Sequence, residues 1–206
     1  MRNDDLLLII DVQRDFCPGG QLAVPGGDAI VPQINRLASH FEHIVLTQDW
    51  HPASHTSFAS SHPDARPFDH IAAEYGSQTL WPDHCVQGTA GAEFHPDLEI
   101  TRAELILRKG FRPAIDSYSA FLENDKQTST GLAGYLHERN FKRIFLVGLA
   151  YDYCVRFSAI DAVQAGFEAI VIVDACRPIG AIAETEREFA QIGVKRITAA
   201  VFPETE

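Results

Sequence analysis

Arg143-Ile144-Phe145-Leu146-Val147-Gly148-Leu149-Ala150-Tyr151-Asp152-Tyr153-Cys154-Val155 is the stretch that decides how this chain folds. Its first half, Arg143–Gly148, is an unbroken apolar run of the kind found in strands covered on both faces. Its second half is a tight turn running into a helix expected over about Tyr153–Ala165. Asp152 stands at the expected N-cap and Gly166 at the stop. Working outward, similar short apolar runs recur at Leu6–Ile10, His43–Thr47, Leu105–Arg108, Ala169–Val173 and, briefly, Arg196–Thr198. Helical patterns separate them. Ile30, Ile34, Leu37 and Phe41 share one helical face in Asp28–Phe41, with Pro32 tolerated in the first turn. Leu132, Tyr135 and Leu136 mark a second helix, and Ala183–Ile192 a fourth that Gly193 ends. Strand and helix in alternation predict βαβ units around a parallel sheet. No repeat or linker divides the chain, so residues 1–206 are expected to form one domain.

The 206 residues are 46% hydrophobic and 22% charged, ordinary for a globular α/β domain and unlike a disordered or disulfide-scaffold chain. No apolar run reaches the roughly 20 residues that span a bilayer, so no membrane partner is expected. Leu6–Ile10 is too short for a signal peptide and runs straight into Asp11. A formal charge of −11 argues against nucleic acid, whose phosphates favour basic partners. Cys17, Cys85, Cys154 and Cys176 are dispersed without a CxxC pair, which suits a reducing cytoplasm. Whether the chain forms a homo-oligomer is left open.

The segment from about 51 to 102 breaks the pattern. Pro52, Pro63, Pro67, Pro82 and Pro96 interrupt it, and loops this long are usually functional. Six of the nine histidines lie in it, where an even spread would place about two.

Chemistry gathers at strand ends, where open parallel sheets keep their sites. Asp11 ends the first strand, as a reactive carboxylate or merely a strand-ending cap. Asp49 and His51 end the second and share one side if the extended backbone continues. One carboxylate and one imidazole begin a divalent-metal site; the plainer alternative is a solvated Asp and a packed His. His84 leads the candidates for a further ligand, and His55 follows. Lys109 ends the next strand and matters only if an anion or nucleophile shares its cleft. Cys154 lies in the first helical turn, where the helix terminus should lower its pKa below the free value of about 8.5. Cys17 and Cys176 lack such a setting. Carboxylate, lysine and thiol together suit acyl transfer by a cysteine nucleophile beside a metal.

These residues also resemble a known family. Asp11-Val12-Gln13-Arg14-Asp15-Phe16, Asp49-Trp50-His51-Pro52, Trp81-Pro82-Asp83-His84-Cys85-Val86-Gln87-Gly88-Thr89, Lys109-Gly110 and Gly148 to Val155 are similar, in order, to the nicotinamidase/pyrazinamidase group of isochorismatase-like cysteine hydrolases. The resemblance implies a three-layer, Rossmann-like fold: an open six-stranded parallel sheet with helices on both faces. It implies hydrolysis of nicotinamide, and of pyrazinamide, in NAD salvage. Carried over by position, Asp11, Lys109 and Cys154 form the catalytic triad, and Asp49, His51 and His84 bind the metal. Phe16, Leu22, Trp81 and Tyr118 line the substrate pocket. The Leu149–Ala150 peptide matches one that is cis in the family, with the amides of Ala150 and Cys154 as oxyanion hole. The metal is expected to be one divalent ion, zinc first, with iron and manganese as alternatives. His55 stands at a shorter spacing than the family's fourth ligand and stays outside the set.

The mechanism that follows holds the ring nitrogen on the metal and the ring between Phe16 and Trp81. Cys154 attacks the carboxamide, Asp11 relays the proton to ammonia, and Lys109 favours the thiolate. The rival readings are a metal-free hydrolase of isochorismate or carbamoyl compounds, a metalloenzyme whose bound water is the nucleophile, and a non-catalytic binding module.

Overall fold

The computed structural model describes residues 2–203. Six strands form one parallel sheet: β1 (Asp5–Ile10), β2 (His43–Asp49), β5 (Leu105–Lys109), β6 (Arg143–Leu149), β7 (Glu168–Arg177) and β8 (Lys195–Ile197), in the order β5-β2-β1-β6-β7-β8. The chain steps outward from β1 to one side through β2 and β5, then returns to β6 and steps to the other side. The order therefore reverses between β1 and β6, and the crevice beyond their carboxyl ends is where such sheets bind ligands.

The alternation of Leu6–Ile10 explains the layers. Successive side chains of a strand point to opposite faces. Leu7 and Ile9 pack with Ile34 and Leu37 of α1 (Val31–Ala38), while Leu6, Leu8 and Ile10 pack on the other face. There they meet Leu132 and Leu136 of α2 (Leu132–Glu138), Ala159 of α3 (Arg156–Gln164) and Phe189 of α4 (Ala183–Ile192). Every side chain of β1 is buried. Fully burying one Leu or Ile is worth about 1.5–3 kcal/mol, so this strand anchors both layers. The bidentate pair of Arg143 Nε and Nη2 with Asp5, both 2.6 Å, fastens the start of β6 to the start of β1.

Gly148 shows how tightly the two central strands meet. Its φ is +118°, and a side chain there would collide with the Ile10 carbonyl. Only glycine fits both demands.

Several expectations need correction. The first helix is shorter than Asp28–Phe41: a 3-10 turn covers Asp28–Ile30, α1 follows, and Phe41 joins the core from outside it. Asp152 does not cap a helix. Tyr151–Val155 form a π-helical turn before α3, and the Asp152 carboxylate instead accepts the N–H groups of Ile179 and Gly180 at 2.9 and 2.8 Å. The 51–102 segment is not wholly irregular, for it contains an antiparallel hairpin, β3 (His70–Ala73) with β4 (Gly76–Thr79). β5 is not covered on both faces, because it is the sheet edge and leaves Ile106 44% exposed. Gly166 and Gly193 do end their helices, in left-handed conformation.

Candidate active site

Four strand ends deliver the site. Parallel pairing sets Asp49 of β2 beside Lys109 of β5, and Ile10 of β1 beside Gly148 of β6. Asp11 follows β1 with a φ of +49°, a conformation that Asp tolerates better than most residues. Its Oδ1 accepts the Thr47 hydroxyl at 2.7 Å, and its Oδ2 lies 2.9 Å from Lys109 Nζ. The same ammonium lies 3.1 Å from Asp49 Oδ1, 2.9 Å from the Ser117 carbonyl and 3.5 Å from Cys154 Sγ. Asp11 and Lys109 are buried, so these charges meet outside bulk water.

Burial governs the proton affinities. It pushes the Asp11 carboxyl upward, with Lys109 opposing and Asp49 reinforcing the rise. It would lower Lys109, but Asp11 and Asp49 outweigh it and hold the ammonium well above the ordinary lysine range. It drives the Cys154 thiol well above its usual value; Lys109 opposes, while Asp11 and Asp49 add to the rise. The expected depression of this thiol by the helix terminus is therefore reversed. Burial thus favours the sulfur with its proton, and Asp11 and the sulfur both lie against the Lys109 ammonium, at 2.9 and 3.5 Å. A carboxylate whose proton affinity burial has raised is a better acceptor for that proton.

Asp49, His51 and His84 converge next to the triad, each with a ligand atom within 4.8 Å of the others. His51 Nδ1 faces the Gly110 carbonyl at 2.8 Å and His84 Nδ1 the Pro82 carbonyl at 2.7 Å. Each Nδ1 must donate there, so in the neutral imidazole each Nε2 turns a lone pair to Asp49 Oδ2, at 2.9 and 3.4 Å. Bare imidazole nitrogens facing a carboxylate call for a cation between them, and hydrogen-bonded Nδ1 atoms are how proteins orient ligating histidines. The donor set fits one divalent ion of the zinc, iron or manganese kind. Gly110 permits this crowding, since a side chain there would strike the His51 ring, and its φ is +66°. His55 lies outside that set: Nδ1 faces the Ser57 hydroxyl at 2.7 Å and Nε2 the Ile115 carbonyl at 3.2 Å, though with His51 and Asp116 it forms a second group that could hold a cation. Burial, aided by His51, pushes it down to about 4, so it is a neutral wall behind His51.

A narrow cleft opens onto the triad. Phe16, Leu22, Trp81 and Tyr118, all expected from the sequence, line it together with Ala150, Cys154 and the three candidate ligands. The Leu149–Ala150 peptide is cis, as expected. Asp116, Tyr153 and Ile179 line the cleft as well and were not among the expected residues. Ile179 follows β7, a strand end from which no candidate was drawn, and Asp116 had no sequence signal. Cys17, Cys85 and Cys176 are buried outside the cleft. A roomier hollow around Val173, Ile182 and Arg196 is lined by Cys176 but by none of the triad, the candidate ligands or the ring-cleft residues.

Comparison with known proteins agrees with this geometry. The sequence profile of the isochorismatase domain matches residues 5–202. The nicotinamidase of Acinetobacter baylyi is 53% identical over 96% of this chain and 94% of its own length. A nicotinamidase/pyrazinamidase structure from Acinetobacter baumannii superposes with a TM-score of 0.97, at 51% identity over 98% of this chain and all of that one. A pyrazinamidase of Pyrococcus horikoshii, solved in complex with zinc, gives a TM-score of 0.77 at 35% identity, covering 95% of this chain and 99% of that one.

Proposed function

This chain belongs to the isochorismatase family, and on that footing we propose that it hydrolyses nicotinamide to nicotinate and ammonia with Cys154 as nucleophile. The observation that carries the reading is the Lys109 ammonium, 2.9 Å from Asp11 and 3.5 Å from the Cys154 sulfur at the floor of an aromatic cleft. Pyrazinamide, with a similar ring and the same carboxamide, is the second substrate.

In this reading the pyridine ring enters between Phe16 and Trp81, with Leu22 and Tyr118 at its edges. Cys154 attacks the carboxamide carbon while its proton passes to Asp11. Asp11 Oδ2 is suited to that task, because it has no hydrogen-bond partner among the described residues beyond its ion pair with Lys109. The Lys109 charge stabilises the sulfur as it becomes anionic. The backbone amides of Ala150 and Cys154 receive the developing oxyanion, a contribution that in comparable sites is worth about 3–4 kcal/mol. Asp11 then gives its proton to the departing nitrogen: the C–N bond breaks, ammonia leaves, and a thioester remains. Water, deprotonated by Asp11, attacks the thioester; the C–S bond breaks, and Cys154 recovers the proton. A divalent ion held by Asp49, His51 and His84 would supply a Lewis acid for the ring nitrogen, with zinc the first choice.

The test is ammonia release from nicotinamide by the metal-loaded protein, with nicotinate identified chromatographically. Wild type should release both in equal amounts. A well-folded, metal-loaded wild type that releases neither would overturn the proposal.

A further inference from the structure

Gln78 lies on β4 of the hairpin, outside the residues of the mechanism, yet its side chain is buried among polar groups that shape the ring site. Its Nε2 shares two hydrogens among three acceptors, the Thr79 carbonyl at 2.6 Å, Asp116 Oδ2 at 2.7 Å and the Tyr118 hydroxyl at 3.2 Å. Its Oε1 accepts from the Tyr75 hydroxyl at 3.0 Å and from Asn124 Nδ2 at 3.3 Å. The amide cannot be reversed, because the Asp116 carboxylate only accepts and Asn124 Nδ2 only donates. The Tyr118 hydroxyl takes a second hydrogen bond from Trp81 Nε1, at 3.2 Å. Two walls of the cleft are thus joined through one oxygen, and that oxygen is held from behind by Gln78.

We propose that Gln78 is a positioning residue that sets the Trp81–Tyr118 wall against the substrate ring, so that the hairpin serves the affinity of the site; this rests on the nicotinamide reading above. Its partner Asp116 also lies beside His51 and His55, so the metal content of each variant is measured alongside. Asp116 Oδ1 still accepts the Ser117 N–H at 2.8 Å, and it is the Ser117 carbonyl that holds Lys109. Removing Gln78 therefore loosens the ring contacts and leaves the triad in place.

The experiment uses the metal-loaded full chain and two variants, Gln78→Leu and Gln78→Glu. Four quantities are read: kcat and KM for nicotinamide, Kd for nicotinate by calorimetry, and the rate of Cys154 alkylation. Leaving buried polar groups unpartnered costs enough for Gln78→Leu to raise KM and Kd about tenfold. Its kcat and alkylation rate should stay within about twofold of wild type. Gln78→Glu keeps the length and shape of the side chain but replaces the Nε2 donor by a carboxylate oxygen, which can only accept. With no hydrogen to give Asp116, its KM and Kd should rise at least as far as those of Gln78→Leu, again with kcat and alkylation within about twofold of wild type. Unchanged KM and Kd in Gln78→Leu, or losses of kcat and alkylation as large as the change in KM, would overturn the assignment. So would failure of both variants to fold, which would make Gln78 a prop of the whole chain. An inactive wild type would instead overturn the nicotinamide reading.

Discussion

Asp11 and Lys109 can be told apart by the sign of their effect on one thiol. Lys109 Nζ lies 3.5 Å from Cys154 Sγ, and Asp11 pairs with that ammonium at 2.9 Å while its charge adds to the rise of the thiol. A charge within about 4–6 Å shifts a neighbour by roughly 1–3 pH units. Asp11→Asn removes a like charge, so the thiol should titrate about 1–3 units lower. Lys109→Met removes the one group that favours thiolate, so the thiol should titrate higher. The rise is smaller than the ammonium alone would give, about 1 unit. Without Lys109, burial and Asp49 leave Asp11 still easier to protonate, and a neutral Asp11 no longer opposes the thiolate. The assay is alkylation against pH, located by peptide mass. Peptide mass separates Cys154, which lines the cleft, from Cys17, Cys85 and Cys176, which are buried outside it. Asp11→Asn should nevertheless lose about 10²–10⁴ in kcat, because a ready thiolate with nothing to protonate the leaving ammonia does not turn over. Two substitutions raising the thiol pKa together would refute the division of labour. No movement in either would mean the three groups do not share a site.

Cys154→Ala should abolish ammonia release while keeping nicotinate affinity within about threefold, since ring walls and ligands are untouched; calorimetry checks it. His51→Ala or His84→Ala should lower bound metal and activity together, measured by elemental analysis beside turnover. Benzamide, which lacks the ring nitrogen, should be a far poorer substrate than nicotinamide, as comparison of kcat/KM will show. Asp5→Asn should cost about 2 kcal/mol at neutral pH, the scale of a charged hydrogen-bonded pair. For a chain of this length that is a melting-point drop of about 4–8 °C. Burial pulls Asp5 upward, but Arg143 and Arg2 outweigh it and hold the carboxyl below its ordinary value. Its contribution is therefore present above the unfolded pKa of about 3.9 and lost as pH falls through the lower folded one, so wild type and variant should converge below about pH 4.

The six strands were readable because each is a short apolar run, and the buried ones keep that character on both faces. What the runs conceal is position within the sheet. Leu105-Ile106-Leu107 reads like a central strand, yet it lies at the edge, leaving Ile106 exposed. The metal and triad residues stood out because strand ends and a histidine-rich loop are unusual places for such side chains. The hairpin did not, because His70–Thr79 is short, polar and framed by prolines. The Cys154 turn was misread for a more instructive reason. A helix terminus does favour thiolate, but that effect is of order 1 kcal/mol, whereas complete burial shifts a group by up to 3–5 pH units. Sequence showed the turn and could not show how deeply it is buried. Gln78 and Asp116 were illegible because their roles arise from contacts between segments 38 residues apart.

The central claim is that Cys154 carries the acyl group. Metal-loaded enzyme mixed with nicotinamide and quenched in acid within one turnover should yield a nicotinoyl thioester on the peptide containing Cys154, formed as fast as ammonia appears. Full ammonia release with no acyl group on that peptide, and activity surviving in Cys154→Ala, would contradict it.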